Sequence, residues 1–229
     1  MAGPGASDTI VVITGGDPVT VDERARVPAD ALVIAADSGI EHAQALGLRV
    51  DVAVGDFDSV SAEALRRAEA QGAVLERHPA AKDATDLELA LDAAVRRGAG
   101  RIVVLGGHGG RVDHLLANAA LLTAPAYAGS EVVAHMGGAT LTVVRRTATI
   151  RGAHGEIVSL LAVGGPAVGV RTEGLLYPLD HEDLRPGATR GVSNELVADP
   201  AQVTLDDGVL LVVQPGQIGT HHLNRNDHP

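Results

Sequence analysis

Two aspartates, Asp56 and Asp58, directly follow an apolar run and a glycine in the stretch AVGDFDSV (53–60). They flank Phe57, the only phenylalanine of the chain. Acidic residues at the end of a strand commonly form a turn or cap the following helix. They also bind cations, and two carboxylates about 4 Å apart repel by about 4 kcal/mol at an effective dielectric of 20. A cluster of such groups is therefore stable mainly when a cation neutralises it.

Further acidic residues follow other predicted strands. Asp37 lies in ADSG, and Asp83 and Asp86 lie in KDATDLE. If the strands are parallel, their carboxyl ends meet at one edge of the sheet, and these side chains are expected to converge there. Oxygen ligands on loops, in a chain without cysteine, favour Mg²⁺ over zinc. Each group also has a structural interpretation: Thr85 and Glu88, for example, have the spacing of a capping box.

A glycine-rich stretch, GGHGGRVDH (106–114), lies between a predicted strand and a predicted helix. Glycines in this position expose backbone N–H groups and the positive end of the helix, which suits a phosphate. Arg111 adds a forked donor that matches phosphate oxygens. The loop is not a dinucleotide fingerprint, because another residue takes the place of the third glycine. It is not a Walker A loop either, since no Gly-Lys-Ser/Thr follows. It therefore indicates some other phosphate chemistry.

The elements that must position these residues change character along the chain. From TIVVITGG to SEVVAHM, short apolar runs alternate with helical patterns, which predicts βαβ units and a mostly parallel sheet flanked by helices. After about Gly137 the runs are short, β-type and separated by Gly, Pro and Asp, as is typical of an antiparallel sandwich or barrel. We predict an α/β domain over 1–137, an all-β domain over 138–218 and a disordered tail over 219–229.

Composition narrows the function classes. The net charge of −11 argues against a nucleic-acid or anionic-membrane surface, because such a surface needs a basic face. No apolar run approaches the roughly 20 residues of a membrane span, and the N-terminus lacks a signal-peptide pattern, so we expect a cytoplasmic protein. Lys82 is the only lysine of the chain, and a compact ammonium cannot be exchanged freely for a guanidinium.

Nine motifs, in order from about residue 11 to 213, resemble those of the thiamine pyrophosphokinase (thiamine diphosphokinase) family. They are GGDP, ADSG, GDFDS, KDATDLELAL, GGHGGRVDHLLAN, SLLAVGG, EGLLYPL, GVSNEL and GVLLVV. The resemblance implies a Rossmann-like α/β domain that binds ATP and Mg²⁺, and a C-terminal antiparallel β-sandwich that binds thiamine. It also implies a homodimer with the site between the α/β part of one subunit and the β part of the other. The implied reaction transfers pyrophosphate from ATP to the hydroxyethyl group of thiamine, giving thiamine diphosphate and AMP.

The resemblance also implies roles for individual residues. The implied Mg²⁺ ligands are Asp37, Asp56, Asp58 and Asp86, and the implied catalytic residues are Asp56, Asp58, Lys82 and Asp86. The implied ATP-binding residues are Asp37, Ser38, Asp83, Thr85, Gly107, Gly109, Gly110, Arg111 and Asp113. The implied thiamine-binding residues are Ser193, Asn194 and Tyr177. With aromatic residues at only 1% of the chain, stacking on the thiamine rings must come from few side chains.

Two other functions stay open at this point. One is a pyrophosphokinase for another alcohol, such as a hydroxymethylpterin, on a related α/β domain. The other is a non-catalytic thiamine- or nucleotide-binding protein, which would not need four acidic positions and Lys82 together.

Overall fold

A computed structural model describes residues 8–81 and 83–216. One sheet of ten strands has the order β12-β9-β14-β7-β6-β5-β1-β2-β3-β4, and a second sheet of four strands has the order β11-β10-β13-β8. The strands are β1 Thr9–Ile13, β2 Leu32–Ala36, β3 Val52–Gly55, β4 Val74–Arg77, β5 Arg101–Leu105, β6 Glu131–Met136, β7 Ala139–Val144, β8 Thr147–Ile150, β9 Ile157–Ala162, β10 Ala167–Glu173, β11 Glu182–Leu184, β12 Asn194–Glu195, β13 Ala201–Thr204 and β14 Leu210–Gln214. The helices are α1 Val21–Arg24, α2 Gly39–Ala45, α3 Ala62–Ala70, α4 Asp86–Arg96 and α5 Val112–Leu121, with a 3₁₀ turn at Pro125–Tyr127.

The first six strands form the parallel part of the large sheet. Each of the five residues of β1 is buried, because helices cover both faces of a parallel sheet. Side chains from α2 and α3 pack on one face, including Ile40 and Ala64. Side chains from α4 pack on the other, including Leu87 and Leu91. The carboxyl ends of β1, β2, β3 and β5 consequently lie along one edge, as the sequence predicts.

The sheet continues without a break into the second half of the chain. Met136 pairs with Ala139 across a two-residue turn, formed by Gly137 and Gly138 with φ of 62° and 80°. Such tight hairpins require positive φ at both central residues, which glycine adopts at no steric cost. β7 therefore runs antiparallel to β6, and β14, β9 and β12 follow antiparallel.

The four-stranded sheet packs against this antiparallel part to form a sandwich. Its core is aliphatic, with Val158 and Leu160 of one sheet against Val170 and Val203 of the other. The run ATLTVVRRTATIRG is divided between the two sheets, since β7 ends before Arg145 and β8 begins after Arg146. Arg145 fixes this crossing, because its guanidinium donates to the carbonyl oxygens of Thr123 and Ala124 at 2.8 Å each.

The predicted fold class is confirmed: a mostly parallel sheet with helices, joined to an antiparallel sandwich. The sequence did not predict α1, a single turn closed by a capping box of Thr20 and Glu23, or the three-residue strand β11. The change from alternating strands and helices to strands alone lies at the predicted position, near Gly137. The structure has a hairpin turn there, inside one sheet. The division into domains stays a prediction, and the tail 219–229 lies outside the described residues. Within the described ranges, no helix is long and apolar enough to cross a membrane.

Candidate active site

Three of the predicted carboxylates meet at the edge of the parallel sheet. Asp37 follows β2, and Asp56 and Asp58 follow β3. One carboxylate oxygen of each lies within 4.8 Å of the others. Gly55 allows this close approach, because it has no side chain. A Cβ at this position, where φ is 148°, would lie 3.3 Å from the Cβ of Asp37 and 3.3 Å from Oδ1 of Asp86. The first residue of α4 therefore faces the same glycine as Asp37.

Asp37 is the buried member of this carboxylate cluster. It is 9% exposed and has a φ of 46°, a conformation uncommon outside glycine. Its Oδ1 is buried and has no hydrogen-bond partner among the described residues. Burial raises the pKa of the Asp37 carboxyl, the backbone of Ser38 opposes this, and the charges of Asp86, Asp56 and Asp58 raise the pKa further. An unpartnered buried oxygen amid like charges fits a site for a hard cation.

Replacing Asp37 with Asn is expected to raise the melting temperature of the chain in EDTA. The amide keeps an oxygen that can accept from Ser38, and the burial and mutual repulsion of charge are removed. For a chain of this size, 1 kcal/mol corresponds to about 2–4 °C. Thermal unfolding followed by circular dichroism measures the shift. Asp30→Asn, which removes an exposed carboxylate two residues before β2, should change little; an Asp37→Asn melting temperature below that of the native chain would contradict this account.

The local backbone turns the acidic side chains outwards and Phe57 inwards. Phe57 has a φ of 63° and is buried in the core beneath α2 and α3, as its position between two site residues predicts. The backbone N–H of Asp58 donates to Oδ1 of Asp56 at 3.2 Å. Helix α3 is capped by Ser61, whose hydroxyl accepts from the N–H of Ala64. Ser61 therefore caps this helix in place of Asp58, and the carboxylate of Asp58 stays at the sheet edge.

Thr85 has the structural role that its spacing predicts. It is the N-cap residue of α4, and its hydroxyl accepts from the N–H of Glu88 at 3.2 Å. Both Thr85 and Asp86 also line the cleft described below. Asp83 is exposed and does not line that cleft. Lys82 lies outside the described residues.

The glycine loop after β5 is fixed to the loop after β1. The N–H of Thr14 donates to Leu105, that of Gly107 to Gly15 and that of Asp17 to His108, each at 2.8–3.0 Å. The close approach requires glycine: a Cβ at Gly106, where φ is 88°, would lie 2.6 Å from the carbonyl oxygen of Thr14. The loops after these two adjacent strands are thus joined by backbone hydrogen bonds into one wall of the site.

Arg111 and Asp113 lie at the start of α5 and form an ion pair with each other. Arg111 Nη2 lies 2.5 Å from Asp113 Oδ2, and its Nε lies 3.3 Å from Oδ1. The pair lowers the pKa of Asp113, mainly through the hydrogen bond. Both side chains are exposed, so Arg111 is free to exchange its partner for a phosphate at little cost.

A cleft of about 650 Å³ unites these elements. Predicted site residues that line it are Asp37, Ser38, Thr85, Asp86, Gly107, Gly109, Gly110, Arg111 and Asp113. Asp56 and Asp58 adjoin it through the carboxylate cluster. The volume is within the usual range for small-molecule sites, and the cleft combines backbone N–H groups, an arginine and carboxylates.

The sequence interpretation missed several residues of this cleft, among them Asp17, His108 and Asn118. Nε2 of His108 lies 3.7 Å from Oδ2 of Asp17, and the ring packs beneath the turn at Gly137. The Asn118 amide donates to the carbonyl oxygen of Gly107 at 2.8 Å, so α5 holds the glycine loop from inside. Each lies in a quoted motif, but only the tertiary contacts give it a role.

The predicted thiamine-binding residues lie elsewhere, in the sandwich. Tyr177 and Asn194 line a separate cavity of about 380 Å³. Asn194 is 3% exposed; its Oδ1 accepts from the N–H groups of Tyr177 and Glu195, and its Nδ2 donates to the carbonyl oxygen of Tyr177 at 2.7 Å. The N–H of Ser193 donates to Ser159. Among the described residues, the cleft of the α/β part and the cavity of the sandwich share no lining residue.

The fold and these cavities define a two-part protein: an α/β part with a carboxylate cluster and glycine loop at its strand ends, and a β-sandwich. Models of two domains match the chain. One is described as the thiamin pyrophosphokinase catalytic domain and matches residues 26–134. The other is described as the thiamin pyrophosphokinase vitamin B1 binding domain and matches residues 144–210. The chain belongs to the thiamine pyrophosphokinase family.

Individual relatives agree with this assignment. Thiamine pyrophosphokinase of Bacillus subtilis is 27% identical over 218 residues, which are 90% of this chain and 98% of the relative. The crystal structure of the Bacillus subtilis protein superposes with a TM-score of 0.80 at 26% identity, over 92% of this chain and 100% of that one. The thiamin pyrophosphokinase of Geobacillus thermodenitrificans has a TM-score of 0.77 at 29% identity, over 92% and 99%.

Proposed function

We propose that this chain transfers the terminal diphosphate of ATP to the hydroxyethyl oxygen of thiamine, giving thiamine diphosphate and AMP. The observation that carries the proposal is the cleft in which a carboxylate cluster faces a glycine loop and Arg111, in a chain that belongs to the thiamine pyrophosphokinase family. Phosphoryl transfer depends on positioning and charge neutralisation more than on covalent chemistry. The cleft offers groups for both.

Asp37, Asp56 and Asp58, with Asp86 beside them, are the residues that would hold a divalent cation, and Mg²⁺ is the ion their oxygen ligands favour. When bound, Mg²⁺ would offset the negative charge of the triphosphate and of the carboxylates. The buried Oδ1 of Asp37 supports this assignment, because no described residue offers it a hydrogen bond. The N–H groups of Gly107, Gly109 and Gly110 and the guanidinium of Arg111 would orient the phosphates. Lys82, which lies outside the described residues, stays a predicted catalytic residue.

Tyr177 is the aromatic residue best placed to stack on thiamine. The chain has three aromatic residues: one Phe and two Tyr. Phe57 and Tyr127 are 8% and 2% exposed, whereas Tyr177 is 56% exposed. A ring face open to solvent can stack on a cationic heterocycle, where cation–π and offset-stacking attraction add to apolar burial.

The active unit in this proposal is a homodimer. Within one chain, Tyr177 and Asn194 line a cavity that shares no described residue with the cleft of the α/β part, so a second copy would bring the two together. Helix α5 offers a surface for it: none of its residues is buried, and Val112 and Leu116 are each 66% exposed. They are four residues apart and share a helix face.

Replacing Leu116 with Asp is expected to convert the dimer to a monomer and to reduce turnover by at least about tenfold, because a buried interfacial charge without a partner costs several kcal/mol. Sedimentation and turnover are measured on the same samples. Val21→Asp is the matched control, since Val21 is 79% exposed and begins α1, where an acidic residue is favourable. A Leu116→Asp variant that stays dimeric would exclude α5 from the interface.

Incubation with ATP, Mg²⁺ and thiamine, followed by chromatography of the nucleotides, tests the function. AMP together with thiamine diphosphate is the expected result. ADP would indicate an ordinary kinase, and the absence of nucleotide turnover would favour the non-catalytic binding protein. Equal or faster diphosphate transfer to a hydroxymethylpterin would instead favour the alternative alcohol substrate.

A further inference from the structure

A second large cavity, of about 870 Å³, lies on the face of the large sheet at β5, β6 and β7, next to β8. It shares no described lining residue with the cleft of the α/β part. We call it the arginine-lined cavity, since Arg26, Arg101 and Arg151 come to it from three separate segments. The proposed reaction makes no use of it.

The floor of the arginine-lined cavity is polar and partly buried. His135 is 7% exposed, and its Nδ1 lies 3.1 Å from the hydroxyl of Thr140. Gln214, 8% exposed, donates to the carbonyl oxygen of Arg151 at 2.9 Å. The remaining hydroxyls of the lining belong to Thr142, Thr147 and Thr149. Fixed polar groups at the base of a cavity supply orientation and specificity for a polar ligand.

The charged side chains of this cavity differ in the ion pairs and hydrogen bonds that they form. Glu156 accepts from Gln214 and from the backbone N–H of Ala153. Arg101 lies 3.8 Å from Glu131, and Arg151 lies 4.0 Å from Asp199. Within the described ranges, Arg26 has no ion-pair partner at 4.0 Å or less. A locally positive cavity is notable in a chain with a net charge of −11, because overall repulsion of anions must be overcome by local cations.

The electrostatics at the floor agree with this arrangement. Burial lowers the pKa of His135 to about 4, and Arg26 and Arg101 also lower it, whereas Glu23 acts in the opposite direction. Both arginines therefore lie near enough to the ring to disfavour its protonation. At neutral pH the imidazole is uncharged and presents one N–H donor and one acceptor.

We propose that the arginine-lined cavity is a second binding site, separate from the catalytic cleft, for a small molecule that carries a phosphate or diphosphate group. Guanidinium groups that approach from three directions suit an anion with several oxygens, and they bind it through forked, charge-assisted hydrogen bonds. The threonine hydroxyls and the imidazole add neutral donors. A carboxylate ligand would use fewer of these groups.

Calorimetric titration with inorganic diphosphate, in EDTA to remove divalent cations, tests the proposal on the full chain. The native protein is expected to bind two diphosphates per chain. Arg26→Ala combined with Arg101→Ala should weaken one binding event at least tenfold and leave the other unchanged. Arg111→Ala should weaken only the other. Arg151→Ala provides an independent test of the first event, and circular dichroism melting confirms that each variant is folded.

The control for net charge is Arg66→Ala combined with Arg67→Ala, which removes two exposed positive charges from α3. It should leave both binding events unchanged. A single binding event that Arg111→Ala abolishes and that the Arg26, Arg101 and Arg151 variants leave intact would overturn the proposal. Equal weakening by the α3 control would overturn it as well, since the effect would then reflect net charge alone.

Discussion

Replacing Asp56 or Asp58 with Asn is expected to reduce turnover at least about a hundredfold with the fold intact. Each residue supplies one of the carboxylate oxygens that lie within 4.8 Å of one another, so each neutral variant removes charge from the cation site. Loss of one preorganised electrostatic group at a developing charge typically costs about 10²–10³ in kcat. Formation of AMP from ATP and thiamine at saturating Mg²⁺ measures the loss, and circular dichroism confirms the fold.

Asp30→Asn is the matched control for this pair, because it removes one exposed carboxylate from the loop before β2, at the end of that strand opposite the site. Its turnover should equal that of the native chain. Partial recovery of Asp56→Asn or Asp58→Asn at high Mg²⁺ would agree with weakened cation binding. Turnover retained by both variants would exclude the carboxylate cluster as the metal site.

The edge of the parallel sheet could be predicted from sequence because its signals are local. Alternation of apolar runs and helices predicts parallel strands, and parallel strands place their carboxyl ends together whatever the length of the loops between them. Asp37 and Asp56 each follow a strand directly, and Arg111 ends the glycine loop after β5, so strand order hardly affected the prediction. The inward position of Phe57 also follows, since its chain neighbours Asp56 and Asp58 are both predicted to face the site.

Tertiary contacts that have no sequence signature were beyond prediction. His108 faces Asp17 through a packing of two loops almost a hundred residues apart, and the Asn118 amide reaches back over the glycine loop. The sequence predicts a domain boundary at Gly137, and the structure has a hairpin turn at Gly137 and Gly138 within one sheet. Glycine pairs mark both linkers and tight turns, and only strand pairing distinguishes them.

Asn194 is predicted to bind thiamine, and the structure also gives its side chain partners within the chain. The family resemblance implies a hydrogen bond from Asn194 to thiamine. In the structure its amide bonds both main-chain groups of Tyr177, at 3.0 Å from the nitrogen and 2.7 Å from the oxygen. Because this amide is buried and its oxygen already accepts twice, we expect Asn194 to act by fixing the segment that presents the Tyr177 ring.

Asn194→Ala is therefore expected to raise the KM for thiamine at least tenfold with little change in the KM for ATP. It leaves the main-chain groups of Tyr177 without their partners, and each unsatisfied buried group costs about 1–3 kcal/mol. Asn194→Asp keeps the acceptors for Tyr177 and Glu195 and removes the donor to the Tyr177 carbonyl. Because it also buries a carboxylate whose oxygen faces the Tyr177 carbonyl oxygen, it should raise the same KM at least as much.

A double-mutant cycle with Tyr177→Leu distinguishes the two roles of Asn194. If Asn194 acts through Tyr177, most of its effect on the thiamine KM disappears when the ring is already absent, because residues that act as one unit are not additive. If Asn194 binds thiamine directly, the two effects add in free energy. Additivity would therefore contradict the positioning role, and an equal rise in the KM for ATP would show that the substitution disturbs more of the protein than the segment around Tyr177.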